Sequence, residues 1–149
     1  MAGVGTYLNF SGETEKAFLF YQSVFGGEFL GGISRFGDMP PDENMPPLSD
    51  ETKNQVLHVC LPILNGHLLM GSDAPESMGF TVNKGNNVYI SLDTDSREQT
   101  DQLFAALSAG GQITMHLGDM FWGAYFGSCT DKFGVQWMVN FAAKSPYEP

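Results

Sequence analysis

Two side chains in this sequence have the types and spacing for acid–base chemistry. His58 and Asp73 flank the dipeptide Asn65-Gly66, which suits the two left-handed positions of a type I′ hairpin turn. A two-residue turn there sets Leu64 opposite His67, so that Leu61 faces Met70 and His58 faces Asp73. Across such a ladder a carboxylate can hold an imidazole by a hydrogen bond, either as the orienting half of a general-base dyad or as a structural pair. A second set of residues is suited to binding. Tyr7, Asn9, Tyr89, Ser91, Tyr125, Gln136 and Asn140 offer hydroxyls and amides, while Met70, Ser72, Phe121 and Met138 accompany them on the expected faces. Apolar walls with a few polar handles are what small-molecule clefts use; the alternative is that some of these tyrosines fill a core.

The elements that must position these residues are written twice. Tyr7-Leu-Asn-Phe10 leads into a helix stopped by Gly26-Gly27, and Tyr89-Ile-Ser-Leu92 leads into one stopped by Gly110-Gly111. A repeat of this kind predicts a pseudo-symmetric fold with its ligand near the symmetry element. The first helix, over about Glu13 to Phe25, carries Ala17, Phe18, Phe20, Tyr21, Val24 and Phe25 as one apolar stripe, with Phe20 expected as its buried anchor. Glu28-Phe29-Leu30 is expected as the next strand. The second helix opens on Asp95-Ser-Arg-Glu98, an acidic form of the capping box, and buries Leu103, Phe104 and Leu107 ahead of a strand beginning Gln112-Ile113-Thr114.

The hairpins set the faces. In the first, Leu57, Val59, Leu61, Met70 and Ser72 are expected on one side and His58, Cys60, Leu69 and Asp73 on the other. In the second, a four-residue turn at Asp131-Lys-Phe-Gly134 between Phe121–Thr130 and Val135–Phe141 places Trp122, Ala124, Phe126, Trp137, Val139 and Phe141 against the helix. Phe121, Tyr125, Cys129, Gln136, Met138 and Asn140 then form the cleft wall. Between Phe36 and Asn54 the periodicity stops, and four prolines alternate with acidic residues in a long surface loop.

Seven Lys and Arg against 17 Asp and Glu give a net charge of −10. That balance argues against binding nucleic-acid phosphates or an anionic membrane surface. Cys60 and Cys129 lie in no CxxC or Cys/His spacing and read as buried thiols of a reducing compartment. With no apolar signal core and no membrane-length run, the expectation is a cytoplasmic protein of one domain over 1–149, its repeats at about 5–73 and 86–141.

Tyr7-Leu-Asn-Phe-Ser-Gly, Phe20-Tyr-Gln-Ser-Val-Phe-Gly-Gly27, Leu69-Met-Gly-Ser-Asp73, Phe121-Trp-Gly123 and Asp131-Lys-Phe-Gly-Val-Gln-Trp137 resemble the PhnB-like branch of the vicinal-oxygen-chelate superfamily. That superfamily includes glyoxalase I, extradiol dioxygenases and bleomycin-resistance proteins, and the branch is often labelled 3-demethylubiquinone 3-methyltransferase-like. The resemblance implies an α+β fold of two βαβββ repeats that form a half-barrel cleft with helices on the convex faces, assembled as a homodimer. It also implies metal ligands at four cleft positions, which fall here on Gly5 (or Thr6), Met70, Asn87 and Met138. Glycine has no side chain, thioethers are soft and a lone amide is weak, so no metal site of the usual kind and no other cofactor is expected. His67 and His116 read as hydrogen-bonded structural residues. No GxGxxG or GxxxxGK turn follows a strand, so the methyltransferase label brings no nucleotide-cofactor loop with it.

Three functions fit this reading: a small organic molecule bound in an amide- and aromatic-lined cleft without the usual metal, drug sequestration as in resistance proteins, and a metal enzyme with atypical ligands such as His58 and Asp73.

Overall fold

The computed structural model describes residues 2–143. The chain divides into two compact units, Met1–Asn83 and Lys84–Pro149. The first contains β1 (Thr6–Phe10), α1 (Thr14–Phe25), β2 (Ser34–Arg35), a 3-10 turn at Phe36–Asp38, α2 (Asp50–Asn54), β3 (Val56–Pro62) and β4 (Leu68–Asp73). The second contains β5 (Ile90–Asp93), α3 (Arg97–Ser108), β6 (Gln112–Asp119), β7 (Tyr125–Thr130) and β8 (Gln136–Phe141). Their sheets run β1-β4-β3-β2 and β5-β8-β7-β6, each with one parallel pair (β1 with β4, β5 with β8) and two antiparallel pairs. The fold is thus α+β, one βαβββ plan used twice, with the acidic loop and α2 inserted in the first copy.

Each helix covers one face of its own sheet. Ala17, Phe18 and Tyr21 of α1 are fully buried against Leu69, Val59, Leu61 and Phe10. Phe20 is only half-buried, so Phe18 is the aromatic anchor of the stripe, contrary to expectation. The register of the helix explains this: Thr14, Ala17, Phe18 and Tyr21 recur at three- and four-residue spacing, and Phe20 lies at the edge of that face. In the second unit Leu103, Phe104 and Leu107 are buried as expected.

Other boundaries moved for local reasons. The second strand is not Glu28-Phe29-Leu30, which makes one bond to the sheet, Leu30 N–H to the Cys60 carbonyl at 2.9 Å; it is Ser34–Arg35. The cap of α3 is Ser96, whose hydroxyl accepts from Gln99 N–H at 3.1 Å, and the Gln99 side chain accepts from Asp95 N–H at 2.8 Å. Serine followed three residues later by glutamine makes this cap, one place after the acidic pair expected to do so. The proline-rich loop is bracketed by order: Ser49 caps α2 by accepting from Thr52 N–H.

Both hairpins contain one more turn residue, or one fewer, than expected. Asn65 (φ 54°) and Gly66 (φ 78°) do adopt the left-handed turn. However, Ile63 N–H donates to the His67 carbonyl while His67 N–H donates to the Leu64 carbonyl, so two residues oppose one in a bulge. Cys60 then pairs with Met70 and Leu61 with Leu69. In the second hairpin Asp131 N–H bonds the Val135 carbonyl, leaving three turn residues, and Cys129 pairs with Trp137. A slip of one residue turns a strand over. The faces expected of β4 and β8 therefore stand, while those of β7 and of β3 from His58 onward are exchanged; Leu57, at the irregularity between β2 and β3, keeps its place on the cleft side.

Candidate functional site

Because β3 is turned over, Asp73 and His58 do not meet. Asp73 lies on the helix side, buried, and its carboxylate is fully occupied. Its Oδ1 accepts from Thr14 N–H (3.1 Å) and Thr14 Oγ1 (2.7 Å), and its Oδ2 accepts from Val56 N–H (2.8 Å). Glu13, at the head of α1, makes no side-chain cap, so a carboxylate from β4 supplies the anion that the exposed amides of a helix start favour. Asp73 ties α1, β3 and β4 together; it is not positioned to orient His58.

His58 instead shares the open face of the first sheet with Tyr7, Asn9, Cys60, Met70 and Ser72, since Tyr7 pairs with Met70, Asn9 with Ser72 and Cys60 with Met70. The Tyr7 hydroxyl lies 3.3 Å from His58 Nδ1 and the two rings are 5.9 Å apart. Ser72 Oγ donates to Asn9 Oδ1 at 3.1 Å. Tyr7, Asn9 and Ser72 open onto a groove of about 700 Å³ whose other walls include Phe36, Met78, Phe80 and Val82. Among the described residues that border it, Asp73 alone is charged. The stretch 78–82, with its alternating apolar residues, is the part of this wall that sequence reasoning missed. A separate cavity of about 360 Å³ lies within the proline-rich loop, between Phe36, Met39, Met45 and Leu48.

In the second unit Ser91 pairs with Met138 and Asp93 with Asn140, again on the face away from the helix. Gln136 shares that face, but it is buried and its amide donates to the Val88 carbonyl at 3.0 Å. Tyr89 immediately precedes β5 and is half-buried. Tyr125 is on the other side. Its hydroxyl donates to Asp101 of α3 at 2.5 Å, and the Arg97 guanidinium lies 3.9 Å over its ring. The hydrogen bond to that carboxylate, more than desolvation, holds the phenol above its ordinary range. Phe121 is 97% exposed at the tip of the β6–β7 turn, edge-on to Trp122 at 5.0 Å. Thus Tyr7, Asn9, Met70 and Ser72 are brought together in one unit and Ser91 and Met138 in the other, whereas the altered register of β7 turns Tyr125 to the helix side and Phe121 stands out on the β6–β7 turn.

The remaining titratable groups have structural environments. His67 Nε2 is 2.9 Å from Thr6 Oγ1, and His116 lies on the exposed strand β6. Burial pushes the Cys60 thiol up, and it pushes Cys129 up to about 11 with help from the negative charge of Asp131. Among the described residues no three His, Cys, Asp or Glu side chains cluster as ion ligands. The positions that the resemblance assigns to metal ligands are a poor match for a hard divalent cation, since Met70 and Met138 offer only thioethers, Asn87 a lone amide, and Gly5 nothing, or Thr6 in its place a hydroxyl. The space a side chain at Gly5 would need is taken by the methyl end of Met70, 2.8 Å from where its Cβ would be.

Comparison with known proteins agrees with this architecture. Residues 2–140 match the family model described as 3-demethylubiquinone-9 3-methyltransferase. Protein YjdN of Escherichia coli (strain K12) is 33% identical over 94% of this chain and 95% of its own. The crystal structure of PA1353 from Pseudomonas aeruginosa is 34% identical with a TM-score of 0.80, over 95% of this chain and 98% of that one. A putative 3-demethylubiquinone-9 3-methyltransferase, PhnB protein, from Bacillus cereus is 30% identical with a TM-score of 0.71, over 95% and 100%. The fold alone is shared with a glyoxalase/bleomycin resistance protein/dioxygenase family enzyme from Burkholderia phytofirmans, at 16% identity and a TM-score of 0.61 over 92% and 97%. The chain belongs to the 3-demethylubiquinone-9 3-methyltransferase family, whose PhnB-like members it matches along nearly its whole length.

Proposed function

We propose that this protein binds an uncharged small organic molecule, without a superfamily-type metal, in the groove over the open face of its first sheet. The observation that carries this reading is the make-up of the groove: Tyr7, Asn9 and Ser72 among apolar walls, with a single bordering charge, Asp73, whose oxygens are already engaged. Lacking a Lys or Arg in its lining, the groove has no partner for a carboxylate or phosphate. The buried Asp73 has no free oxygen aimed at a cation. A neutral molecule with an apolar body and one or two oxygen functions matches what remains. Met70 belongs to the same face, and Ser91 and Met138 give the second unit a comparable one.

The metal-free reading follows from donor chemistry, because the superfamily positions offer two thioethers, the lone amide of Asn87, and either nothing at Gly5 or a hydroxyl at Thr6. It is tested by metal analysis of protein purified without chelator, together with a thermal-shift screen of neutral phenols, ketones and amides. A binder that raises the melting temperature of the native chain but not of an Asn9→Ala/Ser72→Ala variant is expected. Stoichiometric Zn, Ni, Mn or Fe would overturn the metal-free reading.

The same proposal includes a homodimer in the cytoplasm. Edge strand β6 is exposed along most of its length, with Ile113 and Met115 on it and Phe121 and Trp122 beyond. An open edge flanked by apolar groups calls for a cover, and sedimentation at micromolar concentration distinguishes dimer from monomer. Both cysteines are free thiols, as in a reducing compartment. Among the described residues no helix is long and apolar enough to cross a membrane.

A further inference from the structure

The groove contains a hydrogen-bonded pair whose chemistry goes beyond holding a ligand. Tyr7 stands on β1 and His58 on β3, with β4 between them, and the tyrosine ring spans β4 to bring its hydroxyl within 3.3 Å of His58 Nδ1. Tyr7 lines the groove, and His58 meets it through the Tyr7 hydroxyl. Beside them the Ser72 hydroxyl donates to Asn9 Oδ1, which fixes the amide so that its two N–H donors are the end left for a ligand.

Resting on the binding reading above, we propose that Tyr7 and His58 form a proton relay for a ligand with a weakly acidic hydroxyl, a phenol or an enol. The ligand O–H gives its proton to Tyr7 Oη as the Tyr7 proton passes to His58 Nδ1. The O–H bond of the ligand breaks, an N–H bond forms on the imidazole, and Tyr7 is unchanged. The products are a phenolate or enolate and an imidazolium, so charge and protons balance with no further reactant. An Asn9 N–H is left to donate to the anionic oxygen. In this scheme Tyr7 is the catalytic residue and His58 a positioning residue that acts through it. The substrate class follows from the same facts: an alcohol is too weak an acid for a neutral imidazole, whereas a delocalised oxyanion suits both the relay and the apolar walls.

The groups around His58 are few. Ser34 pairs with it from β2, Cys60 is its same-face neighbour on β3, and β4 presents Met70 and Ser72. Arg35, next to Ser34, is bound through its guanidinium to Glu15 on the helix side. Cys60 is the other ionisable group on this face, and Asp73 borders the groove with both oxygens held by Thr14 and Val56, so a pH response is assigned to the pair only where His58→Gln removes it.

Two coloured probes test the relay: 4-nitrophenol, whose phenolate absorbs apart from its phenol, and 4-nitroanisole, which has no proton to lose. The relay predicts that both bind. It also predicts that bound 4-nitrophenol ionises about tenfold more readily than in solution, an apparent pKa lowered by about one unit, and that Tyr7→Phe and His58→Gln each abolish that shift, His58→Gln while leaving 4-nitroanisole affinity within about twofold. If 4-nitrophenol binds as the neutral phenol, or if His58→Gln retains the shift, the relay is overturned while the binding site stands. Failure of both probes to bind overturns the relay and this substrate class together. Nitrogen-15 NMR of histidine gives an independent readout without ligand: the relay requires His58 protonated on Nε2 with Nδ1 free to accept, and a resting tautomer protonated on Nδ1 overturns it.

Discussion

The ring of Phe18 occupies the space where a side chain on Gly71 would begin. A β-carbon at Gly71 would lie 2.6 Å from Phe18 Cε2 and 3.2 Å from the Leu8 carbonyl oxygen. Glycine at the centre of β4 is therefore what lets α1 seat its anchor on the sheet, at the modest cost glycine brings to a strand. Gly71→Ala should destabilise the protein by about 1–3 kcal/mol through overpacking. Phe18→Ala should cost about 3–5 kcal/mol and half-buried Phe20→Ala distinctly less, all read by denaturant unfolding. Equal losses at Phe18 and Phe20 would contradict the helix register.

Removing the Asp73 carboxylate leaves buried amides without acceptors. Asp73→Ala should lose about 2–5 kcal/mol, since the Thr14 and Val56 N–H groups are both orphaned. Asp73→Asn, which can still accept at one oxygen, should lose less. Neither variant should weaken 4-nitroanisole binding beyond its effect on folding. A selective loss of binding in a folded Asp73→Asn protein would show that the carboxylate serves the groove.

Cys129 sets an alkaline limit. Burial raises its thiol from an ordinary value of 9.0 to about 11, so the unfolded chain releases that proton at lower pH than the folded one. Stability from this group is undiminished below pH 9 and falls between about 9 and 11, at roughly 1 kcal/mol per pH unit. Cys129→Ser should flatten that stretch of the stability profile. A disulfide-exchange dye should leave Cys129 unmodified at pH 8 until the protein unfolds.

Tyr125 is held by Asp101 and Arg97 on the helix side. Tyr125→Phe should therefore leave 4-nitroanisole affinity within about twofold, as measured by absorbance titration. A tenfold loss would place this ring at the ligand.

Most of the fold was legible because its signals are strong and local: two glycine-stopped helices, an Asn-Gly turn and alternating strands. The faces of β3 and β7 were not, because each depends on a single turn residue. Asn65 and Gly66 took the left-handed conformation expected of them, but the bulge at Ile63 and Leu64, which lengthens the turn by one residue, depends on the sheet as a whole. One clue was available. Val59, Leu61 and Leu69 form a coherent apolar set only if they share a side, as burial now places them. The same slip decided the site, because it took His58 from Asp73 and gave it to Tyr7. That partnership joins residues 51 positions apart across an intervening strand, and no local pattern announces it.

The two helices begin differently, and this bears on how the chain assembles. Ser96 caps α3 from the adjoining residue, so the helix can nucleate as soon as its own sequence is free. The start of α1 is capped by Asp73, 59 residues from Thr14, so its turn closes locally but stays uncapped until β4 has arrived. Nucleation is the costly step of helix formation. The second repeat thus holds its helix start from within, while the first gains its cap only with its last strand, a difference in timing between otherwise matching halves that pulsed hydrogen exchange at Thr14 and Gln99 would resolve.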